Sequence, residues 1–358
     1  MNAASKRFLL QLLSTPSPTG FEHRGQRLWV QQLRKVADRV ESDAYGTAWA
    51  VLEGSAKKPR RLMLEAHADE IGYMVKYISK DGFLSLDRIG GSDVATARGR
   101  RVEILGDKGS VRGVIGNIAI HIREDRDNEK APKVHDLWVD LGLGSAEEVA
   151  KAGIRVGHPV VYADGVEELG RHRLVGRALD NRIGGFIIAE VMAQLAKGRR
   201  PQATVIAVNA VQEEIGGNGA TMVAHRLKPD AALVLDVTHA TDTPAVDVKK
   251  HGQVSLGGGP SITHGSANHP EMVARLMEVA KAAKIPLQHE SSSRFTGTDT
   301  DSIFIQQGGI PSSLVSLPLR YMHSVVEMAD WRDIEQVIEL LVGFARSVGP
   351  NDDFRVRL

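Results

Sequence analysis

No cysteine occurs among the 358 residues, which excludes disulfides, thiolate metal ligands and a cysteine nucleophile, and fits a reducing compartment. No sign of charge dominates either: 45 lysines and arginines stand against 44 aspartates and glutamates. That balance gives no broad basic face, so neither nucleic acid nor an anionic membrane is expected as a partner. No apolar run approaches the length of a membrane span. The first apolar stretch, Phe8-Leu9-Leu10-Gln11-Leu12-Leu13, is short and interrupted, and reads as an amphipathic helix rather than a secretory signal. The expectation is a soluble, cytoplasmic protein. Aromatics are scarce at 5%, but hydrophobic residues reach 42%, enough for a core packed mainly by aliphatic side chains.

The chain changes texture twice. Helical patterns over 5–13 and 22–38 flank the loop Thr15-Pro16-Ser17-Pro18-Thr19-Gly20, and strands follow near 47–52 and 61–66. From 71 to 170 the pattern is short β-like runs split by glycines (72–78, 83–86, 100–105, 110–121 and 159–163), with one helical stretch over 145–152. After 171 helix and strand alternate: helix 181–196, strand 204–212, helix 219–226, strand 231–237, helix 270–283, strands near 286–290 and 312–317, and helix 331–347. This predicts a largely parallel sheet covered by helices, interrupted by a small β domain. The segment 122–136 is dense in charge and poor in apolar residues, and reads as a solvated loop.

Chemistry-bearing residues sit where strands end. His67 and Asp69 follow Leu62-Met63-Leu64-Glu65-Ala66. Glu213-Glu214 follow the run 205–211. Asp236 ends Ala231-Ala232-Leu233-Val234-Leu235, His323 follows 313–317, and Asp180 opens a helix. In open α/β sheets ligands gather beyond the carboxyl ends of the strands, so these residues can converge. Singly, each has a bland reading: His67 as a hydrogen-bonded structural residue, Asp180 as a helix N-cap, His323 as a cap or core residue. Together they form an all-nitrogen and oxygen donor set that suits Zn²⁺, Co²⁺ or Mn²⁺. Asp69 could accept from the second imidazole nitrogen of His67. Two divalent ions would outweigh the three carboxylates Asp180, Glu214 and Asp236 and help deprotonate a shared water, leaving Glu213 as a general base. No Gly-x-Ser-x-Gly elbow appears, Gly216-Gly217-Asn218-Gly219 lacks the Gly-Lys-Ser/Thr of a phosphate loop, and Thr298-Asp299 reads as an N-cap.

Four segments, His67-Ala68-Asp69-Glu70-Ile71-Gly72, Leu179-Asp180-Asn181-Arg182-Ile183-Gly184, Gln212-Glu213-Glu214-Ile215-Gly216 and Arg320-Tyr321-Met322-His323-Ser324, resemble the M42 metallopeptidases, which include glutamyl aminopeptidase-like and tetrahedral enzymes. The resemblance implies a phosphorylase/hydrolase-like α/β fold, a mixed sheet covered by helices, over 1–70 and 171–358. A PDZ-like β domain for dimerisation and assembly would be inserted at 71–170. It implies two divalent ions per subunit: Asp180 bridging, His67 and Asp236 completing one site, and Glu214 and His323 the other. Glu213 would be the base and Asp69 would orient His67. It further implies peptide substrates cut from the amino terminus, and dimers joined into a twelve-subunit shell. Ser302, where many members carry glycine or alanine, is a departure near the substrate pocket.

Other functions remain open on the residues. An M20-like carboxypeptidase or deacylase would use a similar ligand order, but carries its extra domain later in the chain. A glycosidase would need only paired carboxylates and leaves the histidines without a task. A non-catalytic assembly protein would be expected to have lost Glu213 or a ligand. An aminopeptidase uses every residue.

Overall fold

The computed structural model describes residues 1–123 and 130–358. Two helices, α1 (Ala3–Ser14) and α2 (His23–Leu33), lead into β1 (Arg39–Ser42), β2 (Ala48–Leu52) and β3 (Arg61–His67). The next part is mostly strand: β4 (Gly72–Ile78), β5 (Leu84–Ile89), β6 (Arg101–Gly106), β7 (Gly109–Ile115), β8 (Trp138–Asp140), helix α3 (Ala146–Lys151), β9 (Pro159–Tyr162), β10 (Glu167–Leu169) and β11 (Arg173–Gly176). Alternation then returns with α4 (Leu179–Ala196), β12 (Thr204–Ala210), α5 (Asn218–Leu227), β13 (Ala231–His239), α6 (Val248–His251), β14 (Ser261–His264), α7 (Pro270–Ala283), β15 (Gln288–Ser291), α8 (Asp299–Ile303), β16 (Ser312–Leu319), β17 (Glu327–Asp330) and α9 (Trp331–Ser347).

The main sheet has eight strands in the order β1-β2-β12-β3-β13-β16-β14-β15. Its centre, β12-β3-β13-β16, is parallel throughout, so these four strands end on one edge. The outer pairings β1–β2, β2–β12 and β14–β16 are antiparallel, which makes the sheet mixed. Every residue of β12 and β16 is buried, as strands covered on both faces require. One face packs on α1, α2, α4, α7 and α9, where Leu9, Ile187, Leu276 and Leu341 join Leu64 and Leu233 in a single cluster. Full burial of each such side chain contributes about 1.5–3 kcal/mol. Helix α9 presents Ile334, Val337, Ile338 and Leu341 at helical spacing and starts at Asp330, whose side chain accepts from the Arg332 N–H.

Strands β4-β5-β8-β7-β6-β9 close into a small barrel with its own core, including Tyr73, Val75, Leu86, Ile104 and Val160. A third sheet, β10-β11-β17, sits where the chain returns to the large sheet.

The regular elements fall close to their sequence-based bounds, with local exceptions. The helix expected over 22–38 ends at Leu33, and the strand expected over 110–121 ends at Ile115. Strands β1, β8, β10, β11, β14 and β17 had no clear signal, being three or four residues long and partly polar. Of the charged segment 122–136, residues 124–129 lie outside the described residues. Among the described residues no helix is long and apolar enough to cross a membrane.

Candidate metal centre

The carboxyl edge of the four parallel strands collects the charged residues. His67 is the last residue of β3, Asp236 lies in β13, Glu213 and Glu214 follow β12, and His323 follows β16. Asp180 enters from the first turn of α4. It does not cap that helix: Asp180 and Asn181 have non-helical backbone angles, and the carboxylate turns to the two histidines. Its Oδ1 lies 3.2 Å from His67 Nε2, and its Oδ2 lies 3.3 Å from His323 Nε2. Asp236 Oδ1 is 3.7 Å from His67 Nε2, and Glu214 Oε2 is 3.5 Å from His323 Nε2. Two sets, His67-Asp180-Asp236 and Asp180-Glu214-His323, therefore each bring three donor atoms within 4.8 Å of one another. Glu213 stands beside them, with Oε2 3.7 Å from His67 Nε2.

The tautomers follow from the partners. His67 Nδ1 lies 3.2 Å from the Asp69 carbonyl oxygen, and His323 Nδ1 lies 3.2 Å from the Gly91 carbonyl oxygen. A carbonyl only accepts, so each Nδ1 carries a hydrogen and Nε2 is the nitrogen that faces the carboxylates, donating to Asp180 where it is protonated and free to offer its lone pair to a metal ion where it is not. The Asp69 carboxylate is 3.6 Å from His67 Nδ1, beyond a hydrogen bond. It accepts instead from the backbone N–H groups of Glu213 (3.0 Å) and Glu214 (3.2 Å) and from Thr19 Oγ1 (2.8 Å). Asp69 thus fixes the turn that carries both glutamates. Gln212, Tyr321 and His323 hold positive φ angles, the strained backbone that gathers where a site over-determines conformation.

Burial sets the electrostatics. Desolvation pushes the Glu213 carboxyl up to about 8, against His67. It drives Glu214 and Asp236 well above the carboxylate range, helped by the charge of Asp180. Burial also acts to raise Asp180, but His323 and His67 outweigh it and hold it well below that range. Burial acts to lower His67, but Glu213, Asp180 and Asp69 lift it well above its ordinary value. Glu214 Oε1 is buried without a hydrogen-bond partner, and no described lysine or arginine lines the cavity of about 800 Å³ over the cluster. Buried carboxylates that outnumber the histidines beside them and have no lysine or arginine there are the setting that a metal ion satisfies, and the donors are those of zinc, cobalt or manganese sites.

Four further residues support the cluster, and three of them, Glu327, Gly91 and Glu65, had no sequence signal. Glu327, fully buried, accepts from the N–H groups of Leu179 (2.7 Å) and Asp180 (3.2 Å) with Oε2, and from that of His323 (2.8 Å) with Oε1. It ties the two segments bearing Asp180 and His323 together. Gly91, from the barrel's loop, approaches His323 so closely that a Cβ there would lie 2.4 Å from Nδ1. Glu65 and Asp299 face each other beneath the cluster, and burial pushes Glu65 up to about 8 and Asp299 well above its usual range. The N-cap expected at Thr298-Asp299 is Thr298, whose side chain accepts from the Thr300 N–H.

A histidine and carboxylate cluster at the carboxyl edge of a mixed α/β sheet defines the class as an α/β protein with a buried site able to hold metal. Comparison with known proteins sharpens this. Residues 46–340 match the M42 glutamyl aminopeptidase family. The lysyl aminopeptidase of Pyrococcus furiosus is 35% identical, over 96% of this chain and 97% of its own length. A TET aminopeptidase from a marine sediment Thaumarchaeota archaeon superposes with a TM-score of 0.91, at 30% identity, covering 97% of each chain. The TET1 peptidase of Pyrococcus horikoshii, which can assemble into a tetrahedron or a large octahedral shell, gives a TM-score of 0.85 at 26% identity, covering 96% of this chain and all (100%) of its own. The chain belongs to the M42 family and is an aminopeptidase, a hydrolase acting on peptides.

Proposed function

We propose that the protein is a dimetal aminopeptidase in which Asp180 would be shared between two divalent ions. His67 and Asp236 would complete one site, and Glu214 and His323 the other. The observation that carries this reading is the split of the Asp180 carboxylate, with one oxygen towards each histidine. When bound, Zn²⁺, Co²⁺ or Mn²⁺ would supply charge to polarise the scissile carbonyl and ease ionisation of water. The protein's own residues do the rest. Glu213, at the cavity wall and outside the two donor sets that share Asp180, takes the proton of the attacking water and returns it to the leaving amine. Asp69 holds the Glu213-Glu214 turn, and Gly91 and Glu327 hold His323.

Metal titration of two variants tests the bridge. Asp180→Ala is expected to weaken both sites, and His67→Ala chiefly one. Equal single-site losses in the two variants would contradict it.

The insert, 71–170, is proposed as a PDZ-like assembly domain and the rest, 1–70 and 171–358, as the catalytic domain. Exposed Ile118, Ile120 and Ile122 beside the barrel support contact between copies, because adjacent bare isoleucines favour burial. The shells and dodecamer of solved relatives support assembly of copies, which we read as dimers joining into a dodecamer that would admit short or unfolded peptides. Light scattering is expected to give the mass of a closed particle at micromolar concentration; a monomer would refute it.

A further inference from the structure

We infer that a second cavity, opening beside the peptide site, receives the first side chain of the substrate, and that it selects lysine or arginine. The inference rests on the peptide site proposed above. The cavity, about 480 Å³, shares Val237, Thr238, Thr296 and Thr298 with the wall of the catalytic cavity, so the two are continuous. One charged group is built into it. Glu290, in β15, lines the cavity, and its Oε1 accepts from Thr238 Oγ1 at 2.6 Å. Its Oε2 is shielded from solvent and has no hydrogen-bond partner. An acceptor held in this way is incomplete until a donor reaches it. Thr238 lies two residues beyond Asp236, so the strand that carries a candidate ligand also fixes the carboxylate.

The rest of the lining matches a long cationic side chain. Val237, Leu314 and Phe295 offer apolar surface for a methylene stem, and hydroxyls of Thr263, Ser292 and Ser316 offer small polar contacts. A lysine ammonium has only donors and a guanidinium likewise, which is what an unpaired carboxylate oxygen lacks. Arg294 also lines the cavity, but it is exposed and its guanidinium lies 4.9 Å from the Phe295 ring centroid. That places the fixed negative charge deeper than the positive one and favours a basic over an acidic side chain.

The test is kcat/KM on lysyl-, arginyl-, leucyl- and glutamyl-p-nitroanilide, for the metal-loaded wild type, Glu290→Gln and Glu213→Gln. Wild type is expected to prefer the lysyl and arginyl substrates. Glu290→Gln keeps the acceptor for Thr238, and is expected to lower the two cationic substrates by about 10- to 100-fold, as loss of a charged hydrogen bond does. Leucyl hydrolysis should stay within about threefold, which also reports that the variant is folded. Glu213→Gln should lower all four alike. A wild type that prefers the glutamyl substrate, or a Glu290→Gln variant that loses all four equally, would overturn the subsite. A Glu213→Gln variant with full activity would instead overturn the underlying site.

Discussion

Glu213→Gln is expected to lower kcat by about 10²- to 10⁴-fold while metal content stays near that of wild type. The amide keeps the shape of the side chain and the contact with the cavity wall, and none of the five candidate ligands is altered. What disappears is the ability to take a proton. Glu213 is suited to that task by placement: its carboxylate stands 3.7 Å from His67 Nε2, outside both three-residue sets centred on Asp180. Desolvation holds its pKa at about 8, with His67 opposing the rise and Asp299, Asp180 and Asp69 adding to it. Positive charge brought into the cluster favours the ionised form that a base requires. The measurements are single-substrate kinetics at saturating metal and the metal content of the purified variant. Turnover near that of wild type would remove Glu213 from the role, and loss of metal along with activity would make it a ligand instead.

The residues that form the cluster were legible because each stands at a recognisable boundary. His67, Glu214 and Asp236 end or follow apolar runs, and a parallel sheet brings such ends to one edge whatever their separation in sequence. Asp180 was legible for a weaker reason, as the start of a helix, and its local reading as a cap did not survive the fold. What could not be read is what depends on distant loops. Glu327 is one acid in a short strand, and only the return of β17 to α4 puts it under Asp180 and His323. Gly91 belongs to a loop of the barrel, and nothing in Gly90-Gly91 announces His323. Closure of the barrel was equally hidden, since β4–β9 and β6–β9 join strands far apart in the chain. Glu290 has no neighbour in sequence that suggests a site; it acquires one only when β14 and β15 pair and β13 brings Thr238 alongside.

Stripping divalent ions is expected to abolish peptide hydrolysis and to lower Tm, with a wider gap between loaded and stripped protein at pH 8 than at pH 6. In the stripped fold, the carboxyls of Glu213, Glu214 and Asp236 are raised by burial, so they retain protons that the unfolded chain would have released. Forcing them to ionise costs stability as pH rises from about 4.5 towards 8. His67 is also raised, despite its burial; the stability it contributes is complete below its ordinary value of 6.5 and is lost as pH climbs through the folded value. Asp180, held low by the two histidines, contributes stability above 3.8, so its share is already complete at pH 6. The changing terms of the cluster therefore all weaken the stripped protein between pH 6 and 8. Metal binding works in the opposite direction, because it needs ionised carboxylates and neutral imidazoles and so competes with protons. A site filled at a hundredfold excess over Kd stabilises by about 2.7 kcal/mol. In a chain of this length each kcal/mol moves Tm by roughly 2 °C, giving a gap on the order of 5 °C per site. Calorimetry of stripped and zinc-, cobalt- or manganese-loaded protein at the two pH values reads it directly. An equal gap at both, or a wider one at pH 6, would show that these carboxylates and histidines do not hold the ions.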